Sequence, residues 1–273
     1  MPADHLLDQL NTQIVNPTEL PPSFCVTRHR HRDVYLRHAL PAWTSHQGVS
    51  LVSWQSTDHH SVSGQELTIN YNPGTDVSME IPALGYFAEN MPYLLCRTLS
   101  PMLTHYSTVS AVKLYADPSD ESTLPQTGKL NHLPAAIAVR CSDNSTHIIT
   151  PIIATVEVVL TSGKIRVRRR GFPLTPALAF TDYAAQGVTF QASAKYALDV
   201  FTSRARFASV YVPFSRFRQF TQIQFLLPLW TTPIERTAFI QKLRRIIHLP
   251  KGLLAAVARL NDLERDTTAR LSI

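Results

Sequence analysis

Residues Arg166 to Phe190 constrain the fold more than any other stretch of the chain. They read Arg-Val-Arg-Arg-Arg-Gly-Phe-Pro-Leu-Thr-Pro-Ala-Leu-Ala-Phe-Thr-Asp-Tyr-Ala-Ala-Gln-Gly-Val-Thr-Phe. A basic run enters a turn bracketed by Pro173 and Pro176, and the apolar segment Ala177 to Phe180 follows. That segment is too short for a helix and suits a fully buried strand. It runs out into small and polar residues, Thr181 to Thr189, with Gly187 among them. In an α/β sheet such a strand delivers side chains and backbone amides to a site at its carboxyl end. A surface turn after an ordinary strand satisfies the same residues.

The flanking segments predict where that strand belongs. Leu6, Leu7, Leu10 and Ile14 lie at helical spacing, and prolines 17, 21 and 22 then break the chain. Phe24 to Thr27 predicts a buried strand, and Arg28 to Leu40 a helix with Val34, Leu36 and Leu40 apolar. Such a strand-then-helix unit fits an α/β layer. The helix begins among Arg28, Arg30 and Arg32, where the macrodipole favours anions. A phosphate held near Arg28 and Arg32 accounts for this, and so does simple solvation. Residues 44–80 read as polar loop, and His59-His60 has no acidic or cysteine partner at metal-ligand spacing.

Between 105 and 170 come five strand-like runs: Val109 to Tyr115, Ala135 to Val139, His147 to Ile149, Ile152 to Leu160 and Ile165 to Val167. Turn residues separate them, as in a small β-barrel or sheet module. Residues 117–131 read as a flexible excursion. Ser209 to Val212 and Phe225 to Leu227 predict further strands. From Ile234 the pattern is helical, with one apolar stripe at Phe239, Leu243 and Ile246 and another at Leu253, Val257 and Leu260.

Three well-separated cysteines, Cys25, Cys96 and Cys141, suggest no disulfide framework and predict an intracellular, reducing compartment. The start of the chain lacks the features of a secretory signal, and no apolar run approaches the roughly eighteen residues of a membrane helix. The net charge of +6 is clustered: Arg28 to Arg37, then Arg166, Arg168, Arg169 and Arg170, then Arg204, Arg206, Arg216 and Arg218. Arginine clusters suit phosphate through bidentate bonds, so Arg28 and the 166–170 run are candidate DNA contacts; a solvated basic face is the plain alternative.

Standard nucleotide chemistry fails on inspection. A P-loop requires Gly-x-x-x-x-Gly-Lys-Ser/Thr. Gly128-Lys129 has Thr123 in place of the first glycine and Leu130 in place of Ser/Thr, and Gly163-Lys164 has Val158 and Ile165. There is no Gly-x-Gly-x-x-Gly and no Gly-x-Ser-x-Gly. A Cys/His nucleophile pair has no local signature, and no metal site is predicted.

Two strand ends carry a resemblance. Leu174 to Phe190 resembles motif V of superfamily 1B DNA helicases of the RecD-like and petite-integration-frequency type, including those of fungal Helitron transposons. The family pattern there is Ala-x-Thr-x-x-Lys-Ser-Gln-Gly-x-Thr. Tyr211-Val212-Pro213-Phe214-Ser215-Arg216-Phe217-Arg218 is similar to their motif VI, Tyr-Val-Ala-Leu-Ser-Arg-x-Arg. Val26-Thr27-Arg28 resembles the motif IV region, and Asn90-Met91-Pro92 the Gly-Met-Pro that precedes an inserted barrel.

The resemblance spans nearly the whole chain but only the second half of such an enzyme. It implies an α/β fold: a second RecA-like helicase domain interrupted by a small SH3-like β-barrel insert, with a helical C-terminal tail. The implied segments are 1–104, 105–170, 171–232 and 233–273. By the resemblance, Arg216 faces the ATP γ-phosphate, while Thr181, Gln186, Gly187, Thr189, Ser215 and Arg218 couple nucleotide to DNA. Ala184 and Ala185 replace the family's Lys and Ser, Asn90 replaces its glycine, and the Asn-Gly expected near the start of the barrel is replaced around Ser107-Thr108.

The implied function is the C-terminal region of an ATP-dependent DNA helicase, nuclear, with a role in DNA repair. These residues hold no P-loop, so the region is expected to be inactive alone. ATP and magnesium enter only through a complete helicase, whose P-loop half would come from the same gene or a partner chain. The expected partner is single-stranded or duplex DNA, and no membrane is expected. The alternatives are a non-catalytic nucleic-acid-binding module and a non-functional gene fragment.

Overall fold

The computed structural model describes residues 3–16, 23–71, 80–120, 128–160, 163–185, 195–201, 207–247 and 259. In chain order the elements are helix α1 (Ala3–Thr12), strand β1 (Ser23–Val26), helix α2 (His29–Gln47), and strands β2 (Val52–Gln55), β3 (Thr57–His60), β4 (Glu66–Leu67), β5 (Leu84–Phe87) and β6 (Pro92–Leu95). Then come β7 (Thr108–Tyr115), β8 (Ala136–Arg140), β9 (Thr146–Ile149), β10 (Ile152–Leu160), β11 (Gly163–Gly171), β12 (Leu174–Pro176), β13 (Ala179–Thr181) and β14 (Tyr196–Asp199). Helix α3 (Phe207–Phe214), strand β15 (Ile223–Gln224) and helix α4 (Pro233–Ile247) complete the series. The architecture is mixed α/β.

One sheet is parallel, in the order β13-β1-β14-β15. Its strands alternate between two cores, as the period of two requires. Phe24, Val26, Ala179 and Ala197 face a core that includes Leu36, Leu40 and Trp43 of α2. Cys25, Phe180 and Leu198 belong to another, with Val210 of α3 and Phe225, against which Ile246 of α4 packs. Beyond β15, Phe225 bridges to Ile14, and Asn11 exchanges side-chain bonds of 3.0 and 3.1 Å with the Trp230 backbone, tying the N-terminal helix to this edge.

The α2 core continues into a five-stranded antiparallel sheet, β12-β6-β7-β8-β9, through Tyr93, Leu95, Val109, Ile137 and Val139. A third sheet, β10-β11-β3-β4, encloses a smaller core of Ile69, Ile81, Ala154, Val156, Val158 and Val167. β2 and β5 form a separate two-stranded ribbon.

Several sequence expectations change. The strands of 105–170 do not close on themselves. β7 to β9 extend a sheet that β6 and β12 complete, and β10–β11 continue into β3 and β4 from residues 57–67. Local patterning shows each strand but not its distant neighbour. Residues 44–80 are not uniformly loop: α2 runs on to Gln47 and three strands follow. Pro41 sits inside α2 and removes one backbone donor, while the Thr44 hydroxyl donates to the Leu40 and Pro41 carbonyls at 3.0 and 3.1 Å. Gly48, at φ 65°, ends the helix in the left-handed conformation that glycine adopts freely.

Ser209 to Val212 forms helix α3 rather than a strand. Tertiary packing of Val210, Val212 and Phe214 outweighs the strand preference of β-branched residues. The strand expected at Phe225 to Leu227 lies earlier, at Ile223–Gln224, and Leu226 and Leu227 lie on an exposed bend. The described ends of the 117–131 excursion are pinned, because the buried Asp120 carboxylate accepts from the His132 and Asn131 amides at 2.7 and 3.3 Å. The apolar stripe at Leu253, Val257 and Leu260 lies outside the described residues.

Candidate functional site

Parallel strands end together at their carboxyl edge, and this sheet is no exception. Val26 is in register with Thr181 on one side and Asp199 on the other. The chain leaves β1 directly into α2, which packs across β1 and β13. The first residues past the edge are therefore Thr27, Arg28 and His29 on the central strand, with Asp182 and Val200 beside them. The carboxyl edge of the strands is where open α/β sheets bind ligands.

Two polar atoms at this edge are buried with no hydrogen-bond partner among the described residues: Thr27 Oγ1 and His29 Nδ1. Such groups in a native fold call for a ligand or water. Burial, then the Arg32 guanidinium, hold His29 below its usual pKa against the opposing pull of Asp33 and Asp182. A hydroxyl and a ring nitrogen without a partner among the described residues thus lie two positions apart in the chain at this edge. Next to them His31 Nδ1 meets Asp199 Oδ2 at 3.1 Å, joining α2 to the end of β14. No acidic residue occupies the first turn of α2.

Nucleophilic chemistry does not fit this edge. Cys25 is fully buried, and burial, aided by Asp182, pushes its thiol well above the ordinary range, so it stays protonated. No group of three metal-ligating side chains occurs among the described residues.

The predicted site residues are distributed unevenly. Thr181 is buried, and its hydroxyl accepts from the Ala184 amide at 3.4 Å, while its carbonyl accepts from Ala185 at 3.1 Å. It shapes the turn after β13. Asp182 accepts from the Tyr183 amide at 3.0 Å in the same turn. Ala184 and Ala185 are buried in the same cluster as Phe180 and Leu94. Gln186, Gly187 and Thr189 lie outside the described residues.

Ser215 and Arg216 follow α3. The Ser215 hydroxyl donates to the Val212 carbonyl at 2.8 Å, and Arg216 Nε donates to that carbonyl at 3.4 Å and to Ser215 Oγ at 3.2 Å. These bonds use only Nε; among the described residues the terminal nitrogens of Arg216 make no hydrogen bond. Phe214 and Phe217 flank the turn, with Phe217 edge-on to Tyr196 of β14 at 5.8 Å. Phe180, Ala184 and Ala185 after β13 thus share one core with Val212, Phe214 and Phe217 around the end of α3. Arg218 is exposed, and its amide donates to Gln222 Oε1 at 3.0 Å.

The arginine clusters separate. Arg28 is exposed at the edge, whereas Arg32 is buried and bonds Asp33 at 2.7 and 3.0 Å, so it is not the phosphate contact its spacing suggested. On β11, Arg166, Arg168 and Arg170 face solvent. Arg169 does not: it is fully buried, its Nε 2.7 Å from Asp58 Oδ1 and one NH donating to the Ile81 carbonyl at 3.0 Å. It also bonds the Tyr71 hydroxyl. This corrects the assignment of Arg169 to DNA, since a strand's period of two puts it on the opposite face from its neighbours. Arg168 and Arg170 line a shallow cleft with His59 and Ile153.

Sequence reasoning missed Thr27, His29 and the His31–Asp199 pair as site groups. The available signal was a polar Thr-Arg-His immediately after a three-residue buried run.

The fold is that of a mixed α/β protein with one parallel sheet and appended antiparallel sheets. No family model matches the chain, and no curated protein matches it. Solved structures do. Bacteroides Pif1 bound to ssDNA superposes with a TM-score of 0.53 at 16% identity, covering 97% of this chain and 51% of that one. Pif1 helicase from Candida albicans gives 0.51 at 16% identity, over 88% of this chain and 54% of that one. Bacteroides Pif1 in complex with ADP-AlF3 and ssDNA gives 0.51 at 16% identity, over 97% and 51%. The chain spans about half the length of these helicases, and its fold is that of the matching part.

Proposed function

We propose that the chain is the DNA-binding C-terminal half of a superfamily 1B type helicase and does not hydrolyse ATP alone. The observation that carries this reading is the parallel-sheet edge, where Thr27 and His29 keep unpartnered polar atoms beside exposed Arg28. In this reading the parallel sheet is the second RecA-like domain, residues 105–170 contribute most of an SH3-like insert, and α4 begins a helical tail. Two of the neighbouring Pif1 structures, both from Bacteroides, were solved with ssDNA, which supports a single strand as the ligand. ATP and magnesium belong to a complete two-domain motor. Arg216, with its terminal nitrogens unengaged by the turn that holds it, is the residue that would reach the nucleotide of such a motor.

Binding of a labelled oligonucleotide, followed by anisotropy between 50 and 200 mM salt, tests the DNA claim. Each phosphate contact contributes a slope of about −0.7 on single strands, so Arg166, Arg168 and Arg170 together predict a loss of roughly two in the slope when all three become alanine. A slope near zero in the parent protein overturns the reading.

Hydrolysis is tested separately. No DNA-stimulated ATPase above background is expected from the chain, because neither Gly-Lys pair has P-loop spacing. Stimulated activity abolished by Arg216→Ala would overturn the inactive assignment. The non-catalytic binding module remains the second reading, favoured by the burial of Ala184 and Ala185 where the family carries Lys and Ser.

A further inference from the structure

The turn between β6 and β7 holds an unusual residue. Tyr106 has φ 66°, in the left-handed region that bulky side chains rarely occupy. The surrounding backbone enforces it. The Tyr106 amide donates to the Leu95 carbonyl at 2.8 Å, the Leu95 amide to the Ser107 carbonyl at 3.0 Å, and the His105 amide to Thr98 Oγ1 at 3.0 Å. Strain of this kind, held in place by its neighbours, concentrates at ligand sites.

Its consequence is a ring stack. The His105 and Tyr106 rings lie with centroids 3.7 Å apart and planes 25° from parallel. Tyr106 is half-buried against the core that contains Leu94, Phe180 and Ala184, while His105 is exposed. The stack therefore has a packed side and a solvent side. Tyr183, on the turn that leads from Phe180 to Ala184, is 74% exposed, far more than an aromatic ring usually is. The Tyr106 phenol is raised by burial first, then by Cys96 and Tyr183, which agrees with the two turns being neighbours. Exposed Arg97 lies between Cys96 and Thr98, so a cation accompanies the rings. Neither the edge residues nor the β11 arginines account for this group.

We propose that His105, backed by Tyr106, and Tyr183 form a stacking platform for an unpaired base of a single-stranded nucleic acid, with Arg97 available to the adjoining phosphate. Aromatic and histidine rings receive splayed bases in this way, without regard to sequence. The inference rests on the nucleic-acid reading above and adds to it the contact that selects single strands, whose bases are free to leave the stack.

The test uses the full chain, an oligothymidylate and the same oligomer with abasic positions. His105→Ala and Tyr183→Ala alter exposed side chains, and circular dichroism checks that each variant keeps the fold. Each variant is expected to bind the intact oligomer roughly 5- to 100-fold more weakly and the abasic oligomer as the parent does. Equal losses on both oligomers, or none on either, overturn the platform while leaving phosphate binding intact. A parent protein that binds neither oligomer overturns the platform together with the reading beneath it.

Discussion

Asp58→Ala is expected to lower stability by about 3–5 kcal/mol, the cost of leaving a buried charge without its partner. Asp58 and Arg169 are 2% and 0% exposed, so water is excluded from both. The pair does not stand alone: Tyr71 bonds both members, and its ring lies 5.0 Å from the Arg169 guanidinium carbon. Removing the carboxylate leaves the guanidinium buried in the third sheet without the charge that faces it. Urea unfolding reads the loss directly. Replacing both residues by apolar ones, as Asp58→Leu with Arg169→Met, is expected to recover most of it, because a buried pair and a well-packed apolar replacement are often near-equal in stability. An Asp58→Ala midpoint equal to that of the parent would show that solvent reaches the pair.

Gly85→Ala is the second large effect, and its cause is steric. Gly85 is opposite Trp54 in the β2–β5 ribbon, and the indole occupies the space a Cβ at Gly85 would need. A Cβ at Gly85 would stand 2.1 Å from Trp54 Cε2 and 2.3 Å from Nε1. Trp54 cannot retreat freely, since it is 3% exposed and meets Phe172 edge-on at 5.7 Å. One added methyl group therefore forces ring or strand to move, at a cost of about 1–3 kcal/mol or more. Thermal unfolding measures the cost, and the near-ultraviolet circular dichroism of the indole reports the displacement. Unchanged values for both would mean the ribbon yields without strain.

The sequence foretold most elements and few of their partners. β10 and β11 were plain from Ile152 to Val167, because apolar residues alternate there. β3 was not, since Thr-Asp-His-His carries no apolar alternation; its inward residue is Asp58, acceptable only because Arg169 lies across from it. The same run of arginines looked uniformly solvated until the strand period divided it. α3 hid behind Val210 and Val212, whose β-branched side chains suggest a strand, although Phe207, Val210 and Phe214 already lie at helical spacing. At the site, the strand ends at Val26 and Thr181 were legible and their adjacency was implied by the resemblance alone. His31 and Asp199 lie too far apart in sequence for any local pattern to join them. His105 and Tyr106 escaped notice because a backbone angle, and not a motif, makes them a pair.

The position of β1 also governs how the protein is made. Phe24 takes Ala179 as one neighbour and Ala197 as the other. During synthesis, β1 emerges well before β13 and β14, and both of its edges stay open until the roughly 150 residues between Val26 and Ala179 have followed. The hairpins β7–β8–β9 and β10–β11, whose partners are adjacent in sequence, form in the interval. An apolar strand kept waiting with two bare edges is a template for other nascent chains. Of the described sheets, the parallel one is thus the last to receive all its strands, and its open edges are the longest exposed to other nascent chains.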